Sequence, residues 1–496
     1  MISRLLITPT LWCLWLIRRL ISSDRRIYML LSAGSLQPLL ARIGMMRAQA
    51  VYLKAKDHCP AYQSFLATQG FRDGPHWKLS RLPVMNKENY VKKYSIEERC
   101  YHGKIPASGV VIDESSGSSG VPNNWVRSAE EREDVKHILQ LNYQLIYRDS
   151  GCILLNCFAL GPWATGMNVS MSLVDVGILK SIGPDKAKLE NTFEIFGDNY
   201  RYLVFGYPPF IKSFVDSTRL DLGSYKMDLI VGGEGISESL RTYLLRYFQS
   251  VVSSYGASDL EINIAVETPL TISLRALCIK NRELSRKLFG RDTAPMIFQY
   301  NALDYIIETE PGGELLFTIG RQTSAAPKIR YSLKDFGGVI RYQDLAAQLA
   351  EEGVSIKDFG GRQSHFPILF VFGRTDLTIP FYGAKVYPSD LEEIINADEA
   401  LVTRINSFQL AGYEDEQLNR RLRIHLETAK DFQGQMPATA ALRDLFFDGL
   451  CRCNQDFREV TKMFSRDCVE VEVHPFETGP FRERDIRIKN KYIGGS

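Results

Sequence analysis

Net charge and cysteine are both scarce in this sequence. Its 496 residues include 60 Lys plus Arg against 58 Asp plus Glu, so the charge balance gives no basis for a nucleic-acid partner. The nine cysteines are scattered along the chain. Only Cys451 and Cys453 lie close together, and no CxxC pair occurs. This usage is typical of a reducing compartment, and we therefore expect a cytoplasmic protein whose cysteines are small apolar core residues.

Two nucleotide-binding motifs and a typical set of zinc ligands are also absent. No GxxxxGK[ST] and no GxGxxG follows a predicted strand, so the sequence does not support a P-loop kinase or a Rossmann dehydrogenase. The histidines show no spacing typical of metal ligands, and we predict no structural zinc. They are His58, His76, His102, His137, His365, His425 and His474.

The sequence lacks a hydrophobic run long enough to span a bilayer. The apolar stretch from Leu5 to Ile17 has 13 residues, whereas a spanning helix needs about 20. Basic residues stand on both sides of it, and no small-residue cleavage pattern follows. We expect a helix packed on the protein, and peripheral membrane contact stays open as the alternative.

The remaining composition indicates a globular enzyme of several domains. Hydrophobic residues make up 45% and charged residues 24% of the chain, and its length fits two or three domains. Helix-period segments alternate with short apolar runs, which predicts an α/β fold with layered sheets and helices. We expect an apolar N-terminal segment over 1–36, a large domain over 37–375 and a small α+β domain over 376–496. Monomer and homodimer are both open.

Several segments of the first half predict particular elements. A helix is expected over 37–66, and "EEREDVKHILQLNYQLIYRDSG" predicts another. The stretch Cys152 to Leu160 predicts a buried strand that leads into "GPWATG". "YLVFG" predicts a strand, and the diproline after it predicts a helix start. The segment from "MDLIVGGEG" to "YGASDLE" predicts a strand, a glycine turn over 232–235, a helix and a second turn. The glycine turn lies where open α/β sheets bind ligands.

For the second half of the chain, the sequence predicts mainly strands and one helix. "GGELLFTIG" is typical of a hairpin strand, and "PILFVFGRTD" of a strand that ends in a polar turn. "TRINSFQLAGYEDEQLNRRLRIHLETA" predicts two antiparallel strands, "ALRDLFFDGLCRCNQDFREVTKMF" a helix and "CVEVEVHPFE" a strand. These elements make up the predicted small domain.

A serine-rich stretch, "DESSGSSGVPNNWVRS" over 113–128, precedes a predicted helix. Such a loop is flexible and offers backbone N–H groups and hydroxyls, so it can close around a polyanion such as a triphosphate. An ordinary surface linker has the same composition. Composition alone leaves both interpretations open.

Six motifs along the chain together resemble the adenylate-forming enzymes. In order they are the serine-rich loop, the turn at 232–235, "YGASD", "RYSLKDFG", "GRTD" and "RIKNKYI". The stretches "FALGPWATG", "FGYPPF", "YGASDLE" and "GRTDLTIPFYGAKVYPSDLE" are similar to the branch of phenylacetate:CoA ligase and its capsule- and antibiotic-pathway relatives. The resemblance covers the chain from about residue 37 to its end. It implies an acid-thiol ligase that uses ATP and Mg²⁺ to convert a carboxylic acid to its acyl-AMP, releases pyrophosphate and passes the acyl group to CoA.

The resemblance implies a nucleotide site. The β- and γ-phosphates are expected on the serine-rich loop, adenine beside Tyr255 and the glycine turn, and the ribose hydroxyls on Asp335 with a second contact from Arg374. The residues implied are Ser115, Ser116, Gly117, Ser118, Ser119, Gly120, Gly233, Glu234, Tyr255, Gly256, Ser258, Asp335 and Arg374. Val121 stands where the family often has a lysine, which weakens phosphate clamping by this loop.

The resemblance also implies a metal ligand, a hinge and a catalytic lysine. Asp259 occupies the place of the family's Mg²⁺-binding glutamate, and Glu261 is its rival. Asp376 falls at the hinge of the C-terminal domain. The lysine that bridges the substrate carboxylate and ATP is Lys489 or Lys491, and Ile488 replaces the glycine that usually precedes it.

The expected carboxylate pocket is apolar. Its predicted walls are Trp163, Gly166, Met167 and Tyr207, with Pro208 and Phe210 beside them. Such walls indicate an aryl or other apolar acid, although aromatic residues at strand ends are also ordinary core. Two rivals stay open: an enzyme that passes its adenylate to a carrier protein or an amine, and a non-catalytic relative associated with membrane.

Overall fold

The computed structural model describes residues 32–482, except 75, 116–122, 147–150, 361–363, 375–378, 431, 433 and 462–463. Three predicted features lie outside this part of the chain: the segment from Leu5 to Ile17, most of the serine-rich loop and the basic C-terminal tail. Within the described part, every helix is too short or too polar to cross a bilayer.

The helices carry the following labels and bounds: α1 Gln37–His58, α2 Pro60–Thr68, α3 Ala129–Ile146, α4 Ala164–Leu173, α5 Lys186–Phe196, α6 Pro208–Ser217, α7 Glu238–Leu244, α8 Pro269–Lys280, α9 Arg282–Phe289, α10 Tyr342–Glu351, α11 Pro388–Asn396, α12 Glu399–Arg404, α13 Thr439–Cys453 and α14 Gln455–Val460.

The strands are β1 Val111–Ser115, β2 Asn123–Arg127, β3 Ile153–Asn156, β4 Ile178–Ser181, β5 Arg201–Gly206, β6 Lys226–Val231, β7 Val251–Tyr255, β8 Ala265–Val266, β9 Met296–Tyr300, β10 Tyr305–Thr309, β11 Glu314–Ile319, β12 Tyr331–Ile340, β13 Ile368–Arg374, β14 Ile379–Phe381, β15 Ala384–Val386, β16 Ile405–Glu414, β17 Arg420–Thr428 and β18 Val469–His474.

An eleven-stranded sheet dominates the described chain before residue 375. Its order is β10-β11-β12-β13-β9-β8-β7-β6-β5-β3-β4. The strands from β7 to β4 are parallel, and those from β10 to β8 are antiparallel. Strand β13 pairs with β12 on one side and β9 on the other. The last strand of this sheet in chain order therefore occupies an interior position.

Helix α6 shows how the sequence builds the parallel half. Tyr207 is its N-cap and two prolines open it, where their fixed φ suits the first helical turn and no N–H is lost. Its buried face, with Phe210 and Phe214, packs into the same apolar core as Tyr202 and Val204 of β5. The strand end at Gly206 is thereby held against a rigid helix start.

A second, smaller unit has an apolar core of its own. This core extends from Ile379 to Val473. It includes the three-stranded sheet β16-β17-β18, in which β16 and β17 are antiparallel and β17 and β18 are parallel. The predicted α/β fold with a small α+β unit is confirmed. The proposed boundary at residue 376 stays a prediction, since residues 375–378 are not described.

Three predicted elements differ in detail. The helix expected over 37–66 is interrupted at Cys59, because Pro60 lacks an N–H and starts a new helix. The serine-rich loop joins a hairpin, β1–β2, before the predicted helix begins. "VVSSY", expected within a helix and turn, forms β7, which pairs with β6 in parallel and with β8 in antiparallel orientation.

Candidate active site

Asp335 and Arg374 are brought together by strand register. They are directly opposite in the β12–β13 pair, and Arg374 Nη1 lies 3.8 Å from Asp335 Oδ1. The Tyr255 hydroxyl, at the end of β7, donates to Asp335 Oδ2 at 2.5 Å. Burial and this carboxylate raise the pKa of Tyr255 well above its ordinary value. Three residues predicted for one nucleotide site thus form one contact group.

The ring of Tyr255 is supported from within the protein. It stacks on Phe317 at 6.0 Å between ring centroids and lies 5.6 Å from Phe298. Because both neighbours belong to the core of the antiparallel half, they hold the tyrosine at the cavity edge. This arrangement provides a rigid aromatic surface beside the ribose candidate Asp335.

The glycine turn after β6 has a backbone that demands glycine. Gly233 has φ +83°, and a Cβ there would lie 2.5 Å from Cε1 of Tyr207, so both the left-handed conformation and the ring exclude a side chain. Burial raises the pKa of Glu234, the next residue, to about 7. The Arg420 guanidinium and the backbone N–H groups of Gly383 and Tyr382 oppose that shift. Glu234 therefore faces the small unit.

The "YGASD" motif forms a tight loop after β7. A Cβ on Gly256 would approach Asn263 N and Glu261 O at 2.7 Å each, so glycine allows the loop to close. Ser258 lines the cavity described below. The loop ends at Asp259, which is 3% exposed and accepts from the Tyr331 hydroxyl at 2.9 Å.

The two Mg²⁺ candidates have different surroundings. Asp259 Oδ1 lies 3.5 Å from Lys87 Nζ. The negative charges of Asp259 and Asp335 act to raise the pKa of Lys385, and the positive charge of Arg374 acts to lower it. Glu261 instead contacts Arg321 and accepts from the Tyr305 hydroxyl at 2.8 Å. One carboxylate completed by phosphate oxygens and water suits Mg²⁺. Both carboxylates have a cationic partner, but the Lys87 side chain beside Asp259 is 23% exposed, whereas Arg321 and Glu261 form a fully buried ion pair. Asp259 is therefore the better fit to such a site.

A cavity of about 440 Å³ adjoins these residues. Its deep wall is apolar and consists of Leu139, Tyr143, Phe158, Val169, Leu173, Leu203, Phe205 and Ile230. The other side is formed by the glycine turn and the "YGASD" loop, with Gly232, Gly233, Gly256, Ala257 and Ser258. A compartment of this kind suits a ligand with one apolar and one polar end.

The predicted pocket residues divide into two groups. Trp163 and Tyr207 line the cavity, and Tyr207 packs edge-on against Phe158 at 5.0 Å between ring centroids. Gly166 and Met167 are not among the lining residues. A Cβ on Gly166 would lie 2.0 Å from Ala159 O, so this glycine allows α4 to approach the loop after β3.

The serine-rich loop connects two strands, the first of which contacts the chain next to Trp163. Its flanking strands β1 and β2 pair from Val111 opposite Arg127 to Ser115 opposite Asn123. Glu114 N donates to Pro162 O at 2.8 Å, next to Trp163. Residues 116–122 lie outside the described part of the chain, so the phosphate contacts of Ser116, Gly117, Ser118, Ser119 and Gly120 stay predictions.

The predicted hinge and catalytic lysines also lie outside the described residues. They are Asp376, Lys489 and Lys491. Their roles are predictions from motif order alone.

Two lysines near the site were not predicted from sequence. Lys385, the central residue of β15 in the small unit, lies opposite Pro380 of β14 and lines the cavity. Burial and the nearby charges of Arg374 and Lys87 lower its pKa to about 8. Lys385 lies within "GRTDLTIPFYGAKVYPSDLE", one of the stretches that carry the family resemblance, and this position was a signal that could have identified it. Lys87 lies more than 170 positions before Asp259, and no motif around it indicated a role.

Comparison with solved structures identifies the fold. 2-Hydroxyisobutyryl-CoA ligase, in complex with 2-HIB-AMP and CoA in the thioesterification state, matches with a TM-score of 0.61 and 12% identity, over 92% of this chain and 89% of that chain. The same ligase in the postadenylation state with 2-HIB-AMP matches with a TM-score of 0.52 and 13% identity, over 93% of this chain and 89% of that one. The chain has the fold of an adenylate-forming CoA ligase.

Comparison of the sequence alone gives no match. No family model matches the chain, and no curated protein matches it either. Identities of 12% and 13% to the solved ligases show a shared fold only. The activity of the chain therefore has to be argued from its own site.

Proposed function

We propose that this protein activates an aryl or other apolar carboxylic acid with ATP, releases pyrophosphate and transfers the acyl group from AMP to CoA. It is thus proposed as an acid-thiol ligase similar to phenylacetate:CoA ligase. The observation that carries the proposal is the cavity: an apolar compartment whose lining also includes Gly233, Gly256 and Ser258, three of the residues predicted to bind the nucleotide. An acid in this compartment directs its carboxylate towards the α-phosphate.

The polar groups at the cavity mouth supply the electrostatics of the first step. Asp335 accepts hydrogen bonds from the ribose hydroxyls, and the guanidinium of Arg374 lies on the same side. Attack by a carboxylate on a triphosphate brings anions together, so cations have to offset their repulsion. Lys87 and Lys385 are the described lysines in this region. Mg²⁺ on Asp259 would neutralise the leaving pyrophosphate when bound.

The acyl chain is selected by the deep wall. Leu173, Leu203 and Phe205 are each no more than 4% exposed and belong to one apolar cluster. A charged or strongly polar acyl chain would lose its hydration there without compensation. An aryl or medium-length apolar acyl chain also buries more apolar area against this wall than the methyl group of acetate does, and we therefore expect such acids to be preferred over acetate.

Carboxylate-dependent exchange of labelled pyrophosphate into ATP tests the first step. The panel contains aryl, hydroxy-aryl and fatty acids, with acetate as the short-chain control. Exchange with an apolar acid supports the proposal, and a CoA-dependent rise in AMP release identifies the acceptor. Exchange without that rise would favour a carrier protein or an amine as acceptor. Absence of ATP binding by the folded protein would contradict the proposal.

The catalytic lysine is tested by a matched pair of variants, Lys489→Ala and Lys491→Ala. The lysine that bridges carboxylate and ATP is needed for adenylation only, so its loss should abolish exchange and spare thioester formation from preformed acyl-AMP. The other variant should retain both half-reactions. Equal loss of both steps in one variant would reject the bridging role for that residue.

A further inference from the structure

Three potential metal ligands converge on the small sheet, far in sequence from the proposed nucleotide site. His425 of β17 lies directly opposite Glu472 of β18, and His474 follows Glu472 by two positions. Since alternate residues of a strand point to the same side, all three share one face. The neighbours Ile424 and Val471 belong to the buried core on the other face. The cluster is therefore on the outer face of this sheet.

The donor atoms of the three side chains form a compact triangle. His425 Nδ1 lies 3.1 Å from His474 Nε2 and 3.1 Å from Glu472 Oε2. His474 Nε2 lies 3.6 Å from Glu472 Oε2. Tetrahedral zinc, with bonds of 2.0–2.2 Å, places neighbouring ligand atoms about 3.3 Å apart. The observed separations scatter around that value.

From this geometry we infer that His425, Glu472 and His474 form a binding site for a divalent transition metal, with Zn²⁺ as the best fit. Two imidazoles and one carboxylate are a donor set that zinc accepts, and water completes the fourth position. This inference departs from the sequence-based prediction of no structural zinc. The 49-residue separation of the two histidines conceals a contact created by strand pairing.

The surroundings favour a cation and orient its ligands. Arg423 Nε donates to Glu470 Oε2 and lies 3.2 Å from the other carboxylate oxygen of Glu472, Oε1, while Glu472 Oε2 is directed at the imidazoles. Such outer contacts fix the geometry of a metal ligand. Arg423 is shared with Glu470 at 3.0 Å, so one positive charge stands against two carboxylates. The local balance is negative when the histidines are neutral.

The chain after β18 folds back over this face. Glu477 N donates to Glu427 Oε1 at 3.0 Å, and Gln409 Nε2 donates to Pro480 O at 3.1 Å. A Cβ on Gly479 would lie 2.4 Å from His474 Nδ1, so glycine is needed where the chain crosses the imidazole. The metal would tie β17 to β18 beneath the segment 475–482. Residues 483–496 continue from this segment.

Metal content of the purified full-length protein tests the inference. The protein is stripped with EDTA, exposed to excess Zn²⁺, desalted and analysed by elemental mass spectrometry. Wild type should retain one equivalent of zinc, and the zinc should raise its Tm. The variants His425→Gln, His474→Gln and Glu472→Gln should each lose the retained zinc and the rise in Tm. Circular dichroism checks that they fold.

The control removes a similar pair elsewhere on the surface. His137 lies 3.4 Å from Glu133 on α3, and His137→Gln should retain the zinc and the rise in Tm. Retention of a full equivalent by the double variant His425→Gln/His474→Gln would overturn the inference, because the zinc would then be bound by other groups. Failure of folded wild type to retain zinc would overturn it as well.

Discussion

Asp335 has one carboxylate oxygen in a short hydrogen bond with Tyr255 and the other near Arg374. Asp335→Asn keeps the size of the side chain and removes the charge. Since a hydrogen bond to a charged group contributes about 1.5–3 kcal/mol, we expect ATP affinity to fall roughly 10- to 100-fold. Isothermal titration with ATP measures the change.

The control for this variant is Asp344→Asn. Asp344 pairs with Arg341 at 2.6 Å on the exposed start of α10, where an ion pair contributes little. Its ATP affinity should equal that of wild type. A wild-type affinity in Asp335→Asn would remove Asp335 from the ribose site.

Two consecutive glycines of the turn after β6 make a second matched pair. Gly233→Ala places a Cβ 2.5 Å from the Tyr207 ring at φ +83°, and the left-handed conformation alone costs about 1–2 kcal/mol. At Gly232 the nearest atom to a Cβ is Ser254 O at 3.4 Å. We expect Gly233→Ala to lower the free energy of unfolding and the apparent affinity for the acid.

Gly232→Ala is the control for stability alone, because Gly232 lines the cavity, and its free energy of unfolding should stay close to that of wild type. Urea unfolding measures the free energy of unfolding of both variants, and the KM for the acid in the exchange assay measures the acid affinity of Gly233→Ala. If both alanine variants have the same free energy of unfolding, the close approach of Gly233 to Tyr207 does not exclude a side chain from this turn.

At the scale of elements, Glu234 couples the glycine turn to the β14–β15 turn. Its pKa is raised by burial to about 7 from an ordinary 4.5, with Glu414 as a like charge and with Arg420, Gly383 and Tyr382 acting in the opposite direction. A raised folded pKa means a contribution to stability that is full below the ordinary pKa and lost as pH rises through about 7. The charged carboxylate is the unfavourable form here.

The predicted result is that the Tm of wild type falls relative to that of Glu234→Gln between about pH 5 and pH 8. Differential scanning fluorimetry across this range measures the difference. Glu416→Gln, at an exposed position of the β16–β17 loop, is the control and should follow wild type. Parallel pH profiles for wild type and Glu234→Gln would contradict a raised pKa at this position.

Elements with strong local signals were predictable from sequence. The two antiparallel strands β16 and β17 and the diproline start of α6 are where the sequence places them. The secondary structure was predicted wrongly where pairing with other strands determines the conformation of a segment. "VVSSY" is extended because β6 and β8 pair with it on either side, and no local pattern contains those partners.

At the scale of the whole molecule, Lys385 brings a side chain of the small unit into the cavity of the large one. Its pKa is lowered to about 8 from an ordinary 10.5, so its ammonium is present below pH 8 and lost above it. A cation that stabilises developing charge contributes on the order of 100-fold in rate when its site is preorganised. We expect Lys385→Met to slow thioester formation from preformed acyl-AMP.

The ratio of wild-type to Lys385→Met rates should be greatest near neutral pH and fall towards one above about pH 8. Single-turnover mixing of acyl-AMP with CoA measures both rates, and the ratio cancels ionisation of the CoA thiol. Lys188→Met, on the exposed start of α5 with its ion pair to Asp185, is the control. A ratio that does not change with pH would exclude the Lys385 ammonium from this step.

Motif order selected three residues that the structure brings together, and their roles in nucleotide binding stay predictions, as do those of Ser116 to Gly120 and of the tail lysines. Tyr255, Asp335 and Arg374 were identified separately and form one contact group. Lys87 could not be found in this way. It reaches Asp259 only through the packing of the N-terminal region on the antiparallel half of the sheet, and such tertiary proximity has no sequence signature.

The position of β13 has a consequence for biosynthesis. As the chain leaves the ribosome, β9 and β12 are complete long before the strand that joins them, residues 368–374. Until then each of these strands has an open edge, a template for intermolecular pairing. A nascent chain stalled before residue 368 would hold two unjoined half-sheets. We therefore expect C-terminal truncations before Ile368 to aggregate, and release of β13 to be the committing event of folding.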